Sequence, residues 1–373
     1  MKELKYNDNS NLVSLLQLAL KELNLYKGNV DGILGNRTLQ ALKDFQLSQD
    51  LEVTGIVNED TWNKLFPYIN VPTTISFDYD VLTVVLSSLI YKFSFIENGI
   101  IGTSIMGNNI PYIKLGNGPK RVLYVATTHA NEWITTPILM KFVEDYSLAY
   151  LQDTSIYEIN VKNLFNDASI YIVPMLNPDG VNLVTNNLDK TSPYYTNAVN
   201  ISNNFPNIRF PDGWKANISG IDLNLQFPAE WEKAKEIKFR QGYTTYAPRD
   251  FVGTFPLEAP EAIAIYDFTV KNNFELMLTY HSQGEVIFWK FLDFNPPNSQ
   301  EIGEKLSTLS GYTLESTPLA SSYAGFKDWF IQNFNLPAYT FEVGRGANPL
   351  PISQFDDIYK DNLGVLITTP TLI

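Results

Sequence analysis

Apolar residues recur along the chain with two different periods, and the change from one to the other divides it. Leu12, Leu15, Leu16, Ala19, Leu20 and Leu23 fall at i, i+3, i+4, i+7, i+8 and i+11, one face of an α-helix. Gly28 and the turn Asp31-Gly32 close that segment. Asn36 stands as an N-cap before a second apolar face, Ala41, Leu42 and Phe45. A short third helix is expected to carry Trp62, Leu65 and Phe66. Residues 5–69 therefore read as a small helical module. Asn70-Val71-Pro72-Thr73-Thr74 loses the period and reads as a linker. The expected domains are 1–70 and 71–373.

From Tyr79 onward helical and strand patterns alternate. Helices are expected over Val81–Lys92, Ile134–Tyr150 and Pro260–Asn273. Nearly continuous apolar runs, as in buried strands, cover Arg121–Thr127, Ser169–Met175, Glu275–Tyr280 and Ala338–Val343. This alternation argues an α/β domain with helices on both faces of its sheet. The segment 181–219, rich in Asn, Pro, Ser and Tyr, reads as a long loop of the kind that lines substrate clefts. No internal repeat is evident.

Composition narrows the chemistry. The chain has 373 residues, 45% of them apolar, and a formal charge of −13, which disfavours nucleic acid and anionic membranes as partners. It has no cysteine, which excludes disulfides, thiolate nucleophiles and Cys-based metal sites. No apolar run is long enough for a membrane span, and the start MKELKYNDNSNL has no apolar signal region. There are only two histidines. His129 and Glu132 form H-x-x-E just after one expected strand, and His281 directly follows another. Both therefore sit at C-terminal strand ends, where open α/β sheets bind ligands. Two His and one carboxylate suffice for a catalytic zinc. The other reading of these residues is two satisfied core or surface histidines.

Longer motifs carry a resemblance. VDGILGNRTLQALKDFQ followed by VTGIVNEDTW resembles the three-helix peptidoglycan-binding domain of bacterial cell-wall hydrolases, over residues 10–68. His129-Ala-Asn-Glu132-Trp133, VPMLNPDG (173–180), GIDLNLQFP (220–228), His281-Ser282-Gln283-Gly284 and TFEVGRGANPLP (340–351) resemble, in order, the motifs of the carboxypeptidase A-like zinc metallopeptidases. The resemblance spans roughly residues 78–370 and implies a mixed sheet flanked by helices, preceded by the small all-α domain. It also implies one Zn²⁺ held by His129, Glu132 and His281, with Glu342 as general base and proton shuttle. A family arginine that polarises the carbonyl aligns with Lys215, which keeps the charge and loses the planar fork. Tyr323, in SSYAGF, is the counterpart of a mobile tyrosine that caps the family's active site.

The family's carboxypeptidases clamp a free C-terminus with an Asn-Arg pair. Asn224 is present here, but Leu225 stands at the Arg position and offers no donor. The segments 222–262 and 321–332 resemble instead the bacterial branch that cleaves γ-D-glutamyl–diaminopimelate bonds in peptidoglycan stem peptides. Arg249 and Arg345 are then expected, with Asn224, to meet substrate carboxylates. The expected substrate is peptidoglycan or a muropeptide. Alternatives are a muropeptide carboxypeptidase and a non-catalytic wall-binding protein. With no signal region, the expected location is cytoplasmic or spore-associated, with wall contact after release.

Overall fold

The apolar face beginning at Leu12 becomes helix α1 (Asn11–Glu22), started by Ser10, whose hydroxyl accepts from the Val13 N–H. The structure, a computed structural model, describes residues 1–318 and 321–373. Two further helices, α2 (Asn36–Ser48) and α3 (Glu59–Leu65), lie where the pattern places them.

The sequence shows no evident repeat, yet this helical region contains one. The side chain of buried Gln17 accepts from the N–H groups of Asp31 and Gly32, each at 3.0 Å. It donates to the Ile33 carbonyl and the Thr38 hydroxyl. Buried Gln46 does the same one unit later: it accepts from Gly55 N–H at 2.9 Å and donates to the Ile56 carbonyl and Thr61 hydroxyl. Gly32 and Gly55 both have φ near +70°, which glycine adopts without steric strain. The repeat hides in the sequence because glutamine and glycine are 15 residues apart in one copy and nine in the other.

Packing adds a fourth helix, α4 (Tyr79–Lys92), to this unit, which runs from Met1 to Ile96. Asp78 caps it through the Val81 N–H, and the Ser88 hydroxyl meets the carbonyls of Phe66 and Ile69, each at 2.8 Å. The unit thus continues past the boundary expected at residue 70.

The second unit, Glu97–Ile373, is built on one eight-stranded sheet. Its strands are β1 (Glu97–Thr103), β2 (Asn109–Leu115), β3 (Lys120–Ala126), β4 (Ala168–Val173), β5 (Leu276–His281), β6 (Val286–Lys290), β7 (Thr313–Ser316) and β8 (Ala338–Glu342). They lie in the order β1-β2-β4-β3-β5-β8-β6-β7. β4, β3, β5 and β8 run parallel; β2 joins β4, and β6 joins β8, in antiparallel fashion. The sheet is therefore mixed, with helices packed on it, among them α5 (Thr135–Gln152), α6 (Pro260–Asn272), α7 (Phe326–Phe334) and α8 (Phe355–Thr368).

The four central strands are the four that apolar runs foretell, because strands covered on both faces need apolar residues at every position. Most residues of β1 and β7 are exposed or half-buried, so these strands lack that signal. The segment 181–219 is less loop-like than expected: one helix runs to Val184 and another spans Pro193–Asn203. No helix among the described residues is long and apolar enough to cross a membrane.

Candidate metal centre and active site

Parallel strands end on the same edge of a sheet, and that edge collects the chemistry. β3 ends at Ala126, and the next residue, Thr127, takes φ +53° and turns the chain out of the sheet. This is an unfavourable conformation for a β-branched side chain. It is held by bonds of 2.8 Å from the Thr127 hydroxyl to those of Thr135 and Thr136, while Thr135 also donates to the Glu132 carbonyl. His129 follows, and a single 3₁₀ turn, Ala130–Glu132, brings Glu132 beside it. His281 is the last residue of β5. Glu342 ends β8 and is the register partner of His281, so the sheet itself sets the two side by side.

The three side chains His129, Glu132 and His281 form a buried group whose ligand atoms all lie within 4.8 Å of one another. His281 Nδ1 is 3.1 Å from His129 Nδ1 and 2.9 Å from one Glu132 oxygen; His129 Nδ1 is 3.1 Å from the other. His129 turns its Nε2 to Asp222, 3.0 Å away. That bond leaves Nδ1 facing the group, as a metal-binding imidazole oriented by a carboxylate requires. Asp222 is held in turn by the backbone N–H groups of Asn224 and Asp250. Two imidazoles and a carboxylate, converging with one imidazole already oriented, fit a zinc ion.

The electrostatics fit a cation as well. Burial alone would raise the Glu132 carboxyl, but His129 and Lys215 outweigh it and hold the group well below the usual range. Burial opposes charge on His129 too, yet Glu132 and Asp222 push it up to about 9. A metal must displace that proton, so binding releases it. Burial dominates at His281 and lowers it. Withdrawal from water, helped by the charge of Glu132, pushes Glu342 well above the ordinary carboxylate range.

A cavity of about 250 Å³ opens beside this group. His129, Lys215, Asn224, Leu225, Arg249 and Glu342 are in its wall. Lys215 sits 3.0 Å from Glu132 Oε1. Arg249 pairs with Asp250 at 2.6 Å. The carboxamide oxygen of Asn224 is taken by the Phe326 N–H at 3.0 Å, which leaves its NH₂ group for a ligand. Two residues expected here are not among those lining the cavity. Arg345 is 79% exposed and paired with Glu285, because the chain has by then turned away from β8 at Gly344. Tyr323 packs against the cluster of Leu225, Trp231, Ala234, Val252 and Ala324, with the Lys233 ammonium over its ring. Of the segment 181–219, only Lys215 is in the wall.

Asp222 is a functional residue that the motifs alone do not single out, although it lies within GIDLNLQFP. Its one sequence signal is that it is the single carboxylate of that stretch. The N-P-D-G segment is architectural. Asn177 donates to the carbonyls of Thr128 and Ala216, tying the His129 loop to the Lys215 segment. A side chain at Gly180 would collide with Asn177, Ala130 and the Ala216 carbonyl, all within 2.8 Å.

Comparison with known proteins agrees with this geometry. A zinc carboxypeptidase family model matches residues 91–364, and a peptidoglycan binding domain model matches residues 9–65. The gamma-D-glutamyl-L-diamino acid endopeptidase 1 of Lysinibacillus sphaericus is 44% identical over 292 residues, 78% of this chain and 72% of the relative. The Bacillus subtilis protein YqgT is 34% identical over 332 residues, 88% of this chain and 83% of the relative. Among solved structures, bovine thrombin-activatable fibrinolysis inhibitor superposes with a TM-score of 0.60 at 18% identity, over 80% of this chain and 97% of that one. At that identity the likeness is one of fold.

Proposed function

The chain belongs to the zinc carboxypeptidase family, and from that premise we propose that it hydrolyses the amide between the γ-carboxyl of D-glutamate and a diamino acid in peptidoglycan stem peptides. The observation that carries this reading is Leu225. It stands where the family's carboxypeptidases hold a free C-terminus with arginine, and it is buried against Trp231, Ala234, Val252 and Ala324. Its neighbour Gln226 cannot substitute, since it is fully buried and holds the N–H groups of Glu258 and Ala259.

The roles follow from chemistry. His129, Glu132 and His281 hold zinc, which supplies Lewis-acid chemistry to the scissile carbonyl and to the attacking water. Glu342 takes the proton from that water and returns it to the leaving amine, a task suited to a carboxyl whose affinity for protons is raised. Lys215 places a positive charge where the oxyanion develops. Arg249 and the NH₂ group of Asn224 meet substrate carboxylates.

The test is a three-member panel with product masses read out: a blocked L-dipeptide with a free C-terminus, L-Ala-γ-D-Glu-diaminopimelate, and the corresponding tetrapeptide. The γ-amides should be cut and the L-dipeptide left nearly intact. A site that can hydrogen-bond its substrate discriminates by orders of magnitude, about 10⁴-fold or more in favourable cases. Rapid removal of a C-terminal L-residue with no γ-amide cleavage would overturn the reading.

Residues 1–70 are proposed to attach the enzyme to the wall, leaving hydrolysis to residues 71–373; the peptidoglycan binding match over 9–65 supports this. Because the helical region packs as one unit to Ile96, the protein to test is Met1–Ile96. It should sediment with insoluble peptidoglycan. Recovery entirely in the supernatant, for a fragment that is helical by circular dichroism, would remove the binding role.

A further inference from the structure

The two copies of the helical repeat differ in one stretch. Gln17 and Gly32 lie 15 residues apart in the first, Gln46 and Gly55 only nine apart in the second. The longer stretch borders a cavity of about 360 Å³ within the helical unit. Tyr26, Lys27 and Gly28 line it from that stretch. Arg37, Gln40, Ala41 and Asp44, at i, i+3, i+4 and i+7 on one face of α2, line it from the other side.

The first wall is fixed by the core of the repeat. Buried Tyr26 donates its hydroxyl to the Asn29 carbonyl at 2.7 Å and accepts from the Gln17 amide at 3.3 Å. Its ring lies so close over Gly28 that a Cβ there would stand 2.5 Å from that hydroxyl. Gln46, the counterpart of Gln17, bonds to Thr54, Gly55, Ile56 and Thr61 and to no tyrosine among the described residues. The wall therefore belongs to the first copy, and it is formed before any ligand arrives, which lowers the cost of binding.

The cations of this cavity are uncommitted. Lys27 and Arg37 are exposed, and neither has a carboxylate at ion-pair distance among the described residues. Arg37 acts on Asp31 only from farther off, and Asp44 is held at 2.8 Å by Gln40 instead of by either cation. In a chain of net charge −13 they make a local positive field against the overall one. Tyr26 is the aromatic residue among those lining the cavity, and it is 5% exposed, so no open ring is offered on which a sugar could stack. The cavity instead offers two cations to carboxylates.

We propose that this cavity holds the stem peptides of the wall by their free carboxylates, Arg37 and Lys27 each receiving one. The helical unit then recognises the peptide of peptidoglycan and not its glycan. This rests on the wall-attaching role proposed for residues 1–70. A stem peptide suits the pair, because γ-linked D-glutamate keeps its α-carboxylate free and diaminopimelate supplies a second.

The experiment measures sedimentation of the full-length protein with insoluble peptidoglycan, before and after acid removes its phosphate polymers, and with chitin, a neutral glycan without stems. The wild type should sediment with both wall preparations and not with chitin. Lys27→Gln combined with Arg37→Gln should raise the apparent Kd about tenfold, since one exposed charge pair is worth up to a factor of about five. Lys27→Arg combined with Arg37→Lys, which keeps both charges, should restore most of the binding. Lys21→Gln combined with Lys43→Gln, which removes the same charge outside the cavity, should bind as the wild type does. All of these proteins should cut soluble L-Ala-γ-D-Glu-diaminopimelate at the wild-type rate. Undiminished binding by the Lys27/Arg37 glutamine variant, an equal loss in the Lys21/Lys43 variant, equally tight sedimentation with chitin, or binding that acid treatment abolishes would each overturn the proposal. If the wild type sediments with neither wall preparation, the wall-attaching role itself fails and takes this proposal with it.

Discussion

Glu342→Gln should purify with a full complement of zinc and a normal fold, and turn over about 10²–10⁴-fold more slowly than the wild type. The side chain is outside the ligand group of His129, Glu132 and His281, so its replacement leaves the metal's donors in place. Glutamine keeps the shape and removes only the capacity to accept a proton. The position follows from register: β8 runs parallel to β5, and Glu342 pairs with His281. Burial, helped by the charge of Glu132, raises its proton affinity, against the opposing charges of Lys215 and His129. Zinc analysis and steady-state rates on a γ-D-glutamyl peptide decide the matter. Near-normal turnover in the zinc-loaded variant would mean that another residue is the base.

The second large effect is expected at the metal. His281→Ala should lose stoichiometric zinc and with it all measurable hydrolysis, because two protein ligands are too few for a catalytic zinc site built on three. Without the imidazole, Glu132 is left to His129 and Lys215, which both meet its Oε1. Asp222→Asn, which disturbs the orientation of His129 without removing a ligand, should weaken zinc binding by only about 10–100-fold. Metal content after dialysis against a graded chelator series ranks the three proteins. Full zinc retention in His281→Ala would sink the ligand assignment.

The residues these variants probe differ in how readily the sequence discloses them. His129 and Glu132 are three residues apart, and a chain with only two histidines draws attention to both. Asp222 can be found only as the single carboxylate of GIDLNLQFP, since its partner is 93 residues away. Motif order points to Arg345 and Tyr323, but motif order says nothing of direction. Arg345 lies three residues beyond Glu342, yet the backbone has left the sheet by then, and its side chain meets Glu285 in solvent.

What the sequence determined by itself was whatever burial writes locally. The central strands β3, β4, β5 and β8 are continuous apolar runs because both of their faces are covered, and α1 shows its face at helical spacing because one side is covered. The metal ligands were legible because they stand at the ends of those runs. Only the tertiary structure decided what depends on distance between segments. It set the register that places Glu342 beside His281, added the outer strands β1, β2, β6 and β7, and drew α4 into the helical unit. The physical reason is the same in each case: burial against one's own neighbours leaves a periodic trace along the chain, whereas a contact between segments distant in the chain leaves none.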